Sequence, residues 1–86
     1  MFSIWARVIK DEKIKNQYMG IFEGNFDKTE FYDYLVHICK ELDIETPILL
    51  KNHINNFEEF NSVKFLHYDF VDKINFNYLI LEHVKE

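Results

Sequence analysis

The pattern that most constrains this chain is a strict alternation over residues 2–10, FSIWARVIK. One set of alternate positions is wholly apolar, whereas the other set mixes polar and apolar side chains. The apolar set is Phe2, Ile4, Ala6 and Val8, and the mixed set is Ser3, Trp5, Arg7 and Ile9. Because successive side chains of a strand point to opposite faces, this alternation predicts a β-strand with one buried face.

A second apolar run at residues 14–22 follows the polar triplet Asp11-Glu12-Lys13. Two such runs joined by a short polar loop predict a β-hairpin. Gly20 lies inside the second run, where an isolated glycine suggests a β-bulge.

Residues 26–42 carry the clearest helix signal. Asp27 and Glu30 have the spacing of a capping box, and Phe26 and Phe31 occupy the positions of a hydrophobic staple. An apolar stripe continues from there at helical spacing, which predicts an amphipathic helix over residues 28–42.

The segment after this helix fits two interpretations. Thr46-Pro47 resembles a helix cap with proline at the first helical position, which predicts a second helix from that point. The run 48–50 also fits a short strand before a shorter helix at residues 52–60. Residues 62–70 and 77–84 then have the β-branched and aromatic composition of two further strands.

These elements predict one α+β domain over residues 1–86. The order ββααββ implies a two-layer fold, with a mostly antiparallel sheet of about four strands and two helices on one face. A chain of 86 residues has the length of a single domain. Its nine Phe, five Tyr and one Trp are more aromatic surface than so small a core readily hides, which favours a contact surface.

The mixed face of the first strand is the predicted interaction surface. Trp5, Arg7 and Ile9 lie on it, and a single helical layer would leave that face uncovered. We expect it to contact a protein partner, most simply a second copy in a homodimer. The alternative is that the C-terminal segment or a loop of the same chain covers it.

Charge and composition limit the classes of partner and the compartment. The net charge is −5, and Arg7 is the only arginine among ten basic residues, so direct nucleic-acid binding is not expected. The chain has no stretch typical of a signal peptide or a membrane helix, so we expect no membrane association. The single cysteine, Cys39, fits a reducing cytoplasm. The excess of Phe, Ile, Asn and Lys over Gly, Ala, Arg and Pro suggests an AT-rich bacterial or phage gene.

Only one group of residues has a spacing that suits metal binding or catalysis. His67 and Asp69 would point the same way on a strand, and His83 on a neighbouring strand would provide a third ligand for a metal. The alternatives are an acid–histidine pair on the exposed face, a turn at residues 67–69 that would separate the two side chains, and structural roles for all three. The two glycines exclude a glycine-rich phosphate loop, and neither serine lies in a GxSxG turn, so no cofactor is expected.

The strand segment Ile4–Arg7, IWAR, and the stretch Asn56–Asn61, NFEEFN, resemble segments shared by short bacterial proteins of unknown activity. This resemblance implies no activity and transfers no site residues.

Three functions therefore compete. The leading hypothesis is a small cytoplasmic, non-enzymatic protein-interaction module, most simply a homodimer. The first alternative is an acidic phage or mobile-element inhibitor that imitates nucleic acid through its helix carboxylates. The second is a small metal-dependent or acid–histidine enzyme that uses His67 and Asp69, with His53 or His83 as a further residue.

Overall fold

The computed structural model describes residues 1–84 as one antiparallel sheet with two helices packed against it. The strands are β1 (Phe2–Lys10), β2 (Lys13–Phe22), β3 (Ser62–Leu66) and β4 (Tyr78–Val84), and the helices are α1 (Phe31–Glu41) and α2 (Lys51–Phe60). The strand order across the sheet is β2-β1-β4-β3. The predicted α+β class, with four antiparallel strands and two helices, is confirmed, and two short 3₁₀ turns add to the ββααββ order. No helix within residues 1–84 is long and apolar enough to cross a membrane.

The first hairpin forms as the alternation predicts. Its loop is the pair Asp11 and Glu12, and both residues have positive φ, at 52° and 66°. Two such residues give the type I′ geometry whose twist matches that of the flanking strands. The strand register shifts between Val8 and Ile9, where β2 has one extra residue.

Gly20 does not mark that irregularity. It lies opposite Ile4, in the regular part of the β1–β2 ladder. A Cβ atom at this position would lie 2.9 Å from the Phe22 ring and 3.5 Å from Ile38. The glycine therefore leaves room for an aromatic side chain of its own strand.

The first helix begins with a 3₁₀ turn at Lys28–Glu30 and continues as α1. The Asp27 carboxylate accepts hydrogen bonds from the backbone N–H of Thr29, at 3.0 Å, and from its hydroxyl, at 2.7 Å. These bonds to the ionised form lower the pKa of Asp27. The Phe26 and Phe31 rings meet edge to face with centroids 6.0 Å apart, as expected of a staple.

The second helix begins at Lys51, so the shorter of the two predicted helices is the one that forms. Residues before it are extended, and the Ile48 N–H donates to the backbone carbonyl of Asp69 at 2.7 Å. That bond ties the segment to the turn after β3, and the helix does not start at Thr46 and Pro47.

The third strand is shorter than predicted, because it ends at Leu66 and not at residue 70. Residues His67–Asp69 form a 3₁₀ turn instead. The Asp69 carboxylate accepts the Leu66 N–H at 2.9 Å, and this bond from the last strand residue closes the turn.

A single hydrophobic core lies between the sheet and both helices. The alternate residues of β1 predicted as buried line it, and Leu79, Leu81, Val63 and Phe65 continue the same face across β4 and β3. The helices contribute Phe31, Leu35, Ile38, Cys39 and Phe57. Both helices therefore cover one face of the sheet, here called the inner face, and the opposite face is called the outer face.

Candidate functional site

The outer face brings Trp5, Arg7 and Ile9 together as predicted, and all three side chains are half-buried. In the strand register, Met19 lies beside Trp5 on β2, and Ile80 lies beside Arg7 on β4. No helix within residues 1–84 packs on this face, since the buried residues of α1 and α2 belong to the inner core.

Arg7 lies at the centre of the outer face and contacts side chains of both β1 and β4. Its guanidinium carbon lies 4.0 Å from the centroid of the Trp5 ring, which is a close cation–π contact. The same guanidinium donates to Glu82 Oε1 at 2.9 Å. The Trp5 indole N–H donates to Gln17 Oε1 at 3.1 Å. Polar partners from β2 and β4 thus bind both large side chains of the outer face.

Apolar side chains surround this polar centre and remain exposed. Met19, beside Trp5, is 44% exposed, and Ile21, beside Ser3, is 63% exposed, although both lie on a regular strand. On the other side, the Lys64 ammonium lies 4.6 Å from the centroid of the Tyr78 ring. The outer face is therefore a mixed surface with an apolar edge along β2.

The second predicted group, His67, Asp69 and His83, is not assembled as three converging ligands. His67 is exposed and its ring contacts Tyr68, whereas Asp69 is buried. His83 lies on the inner side of β4, where its ring stacks on Phe57 with centroids 5.7 Å apart. The physical reason is the end of β3 at Leu66: beyond it, alternation no longer places residues 67 and 69 on one face.

The partner of Asp69 is His53, which the sequence suggested only as an alternative to His83 beside the His67–Asp69 pair. His53 on α2 is 5% exposed, and its Nε2 lies 3.4 Å from Asp69 Oδ2. The Leu50 N–H donates to His53 Nδ1 at 2.9 Å. Each of these two side chains thus binds the backbone N–H three residues before it, and the two then meet each other. We call this pair the His53–Asp69 link.

The geometry of the link assigns the state of His53. Since Nδ1 accepts the Leu50 N–H, it holds no proton, and Nε2 must carry the single ring proton toward Asp69. The link therefore joins the start of α2 to the turn after β3.

Two other titratable groups of the described chain, Cys39 and Glu30, have shifted pKa values. Burial raises the pKa of the Cys39 thiol to about 12, although a hydrogen bond with Thr46 acts in the opposite direction. Such a thiol is a poor nucleophile. At the start of α1, a hydrogen bond with the Asp33 carboxylate raises the pKa of Glu30. Among residues 1–84, no group of three or more His, Cys, Asp or Glu side chains is placed to hold a metal ion.

Comparison of the chain with protein-family models, with curated proteins and with solved structures found no match to any of the three.

Proposed function

We propose that the protein is a non-enzymatic protein-interaction module and that its outer face binds a second copy of the chain. The observation that carries this proposal is the exposed apolar edge of β2 beside the Trp5–Arg7 pair. Hydrophobic side chains such as Ile21 and Met19, exposed together on a regular strand, favour a contact that removes them from water.

The charges of the outer face suit a self-contact. The whole chain carries a net charge of −5, so two copies repel each other over most approaches. On the outer face, Arg7 and Glu82 already neutralise each other at 2.9 Å. Their ion pair is 19% and 44% exposed at its two side chains, and a second copy would shield it further from water. Two outer faces can therefore meet without opposing like charges at the centre.

The single tryptophan gives a direct test. Trp5 lies within the proposed interface, so its fluorescence reports the association of the unmodified chain. We expect sedimentation equilibrium to show a dimer at micromolar concentrations, and the Trp5 emission to shift to longer wavelength as dilution separates the copies. The variant Ile21→Lys should weaken the dimer, because it places a charge in the apolar edge.

Ile48→Lys is the matched control. Ile48 is 48% exposed and lies in the extended segment before α2, away from the outer face. It receives the same substitution, so a general effect of added charge would appear in both variants. A chain that stays monomeric at high concentration, with emission independent of dilution, would refute the self-contact.

The nucleic-acid mimic and the metal-dependent enzyme stay hypotheses from the sequence. No specific contact among residues 1–84 favours either of them, and the exposed position of His67 separates it from the buried Asp69 carboxylate.

A further inference from the structure

The free edge of β3 is a second candidate binding site, at the border of the outer face. β3 is the last strand of the sheet and pairs only with β4. In the antiparallel ladder, the His83 N–H donates to the Asn61 carbonyl at 2.8 Å, which fixes the alternation of the hydrogen bonds. Residues 61, 63 and 65 therefore face β4, and the main-chain groups of Ser62, Lys64 and Leu66 face away from it.

These outward-facing main-chain groups differ in whether a side chain binds them. The Leu66 N–H is bound by the Asp69 carboxylate at 2.9 Å. Within residues 1–84, no other strand lies beside the N–H and C=O groups of Ser62 and Lys64. An edge of this kind offers a template for one more strand. The other edge strand, β2, is less suitable, because it is interrupted by the register shift and carries Lys13 and Lys15 near that end.

A groove of about 430 Å³ runs along this edge between β3 and α2. Asn52, Asn56 and Phe60 recur every four residues on α2 and form its helical wall. The Phe60 side chain is 63% exposed and the Tyr68 side chain is 67% exposed, and both line the groove. The space beside the edge is thus bounded by exposed aromatic rings and by two amide side chains that can bind a peptide backbone.

We propose that the free edge of β3 binds an extended peptide segment of another protein, which joins the sheet as a fifth strand and places an acidic side chain opposite Lys64. Main-chain hydrogen bonds to Ser62 and Lys64 would hold the segment, and its alternate side chains would enter the groove beside α2.

The position of Lys64 distinguishes this occupant from a second copy of the chain. In the antiparallel register that uses the whole of β3, Lys64 would lie directly opposite the Lys64 of the other copy. Like charges in that position destabilise a strand pair, whereas an opposite charge stabilises it. The edge therefore favours a foreign strand with a carboxylate at its centre.

The test uses the full chain and the acetylated, amidated peptide Thr-Val-Glu-Val-Thr as the probe. Amide hydrogen exchange is followed by NMR with and without millimolar peptide. We expect the Ser62 and Lys64 amides to exchange quickly in the free protein and at least tenfold more slowly with the peptide. The Leu66 amide is the internal control, because Asp69 already protects it.

Two matched changes separate main-chain from side-chain recognition. A probe methylated on the backbone nitrogens that face β3 should lose its protective effect, since it cannot donate to the edge. Exchanging the charges, with Lys64→Glu in the protein and Lys for Glu in the probe, should restore binding that either single change weakens by about two- to fivefold.

Three results would overturn the proposal. The first is unchanged exchange at Ser62 and Lys64 with millimolar peptide, and the second is equal protection by the methylated probe. The third is slow exchange of both amides in the free protein that becomes fast on dilution, which would assign the edge to a second copy. Dimerisation through the outer face adds no strand to the edge of β3, so loss of the dimer and loss of protection by the peptide are separate results.

Discussion

Replacing His53 with alanine tests whether the His53–Asp69 link holds the start of α2 against the turn after β3. The substitution removes the acceptor of the Leu50 N–H and the group that faces the buried Asp69 carboxylate. It also removes an imidazole that is 5% exposed and lies against the Phe65 ring, with centroids 4.5 Å apart.

The expected cost follows from these three losses. The 2.9 Å hydrogen bond to Leu50 contributes about 1 kcal/mol, and the buried ring contributes about 1.5 kcal/mol through its apolar contacts. The 3.4 Å contact with Asp69 is long and adds about 0.5 kcal/mol. We therefore expect His53→Ala to lower the free energy of unfolding by about 3 kcal/mol, from a total of about 4–13 kcal/mol for a domain of this length.

Urea denaturation followed by circular dichroism measures this loss. With a slope of about 1–1.5 kcal/mol per molar urea, the midpoint should fall by roughly 2–3 M. His37→Ala is the control, because His37 is exposed and makes one bond, at 3.0 Å, with the Tyr18 hydroxyl. That variant should stay within about 0.5 kcal/mol of the parent protein. If the two variants lose the same stability, the link does not fasten the helix.

Two further predictions concern the hairpin loop and the buried thiol. Glu12→Gly should raise the free energy of unfolding by about 0.5–1 kcal/mol, because Glu12 has φ of 66° and glycine adopts that conformation without a steric penalty. The same substitution at exposed Glu23, whose φ is not positive, should destabilise the protein in the same urea titration, and a loss at both sites would contradict the argument. In the folded protein the Cys39 thiol keeps its proton to about pH 12, whereas in the unfolded chain it ionises near pH 9. The contribution of the neutral thiol to stability is therefore complete below pH 9 and is lost as the pH rises toward 12. The fall in melting temperature across that range should be smaller in Cys39→Ala, and equal falls in the two proteins would refute this assignment.

The elements that depend on local patterns were predictable from the sequence. The alternation in β1 defined a strand whose buried face is continuous, because each apolar residue follows the last at a spacing of two. The start of α1 was predictable because Asp27 and Phe26 act on residues only a few positions away. Such features need no knowledge of the rest of the fold.

The candidate site was less predictable, because its contacts join distant parts of the chain. The period-two pattern continued past Leu66, but the Asp69 carboxylate ends the strand by binding the Leu66 N–H. Asp69 then meets His53 across the space between α2 and the turn, a contact that depends on how the helix packs. The shared position of His53 and Asp69, three residues after an extended leucine, is the one sequence signal that could have linked them.

The strand order also has a consequence for how the protein folds. The two central strands, β1 and β4, are the most distant in the sequence, and their ladder pairs Ser3 with Val84. The β1–β2 hairpin and the β3–β4 hairpin can each form from neighbouring segments. Neither buries its inner face until β1 pairs with β4. Closing a loop of about 70 residues costs roughly 1.7 kcal/mol more than closing one of about 10. Joining the two halves of the sheet is therefore the step that should limit the folding rate, and it should occur late.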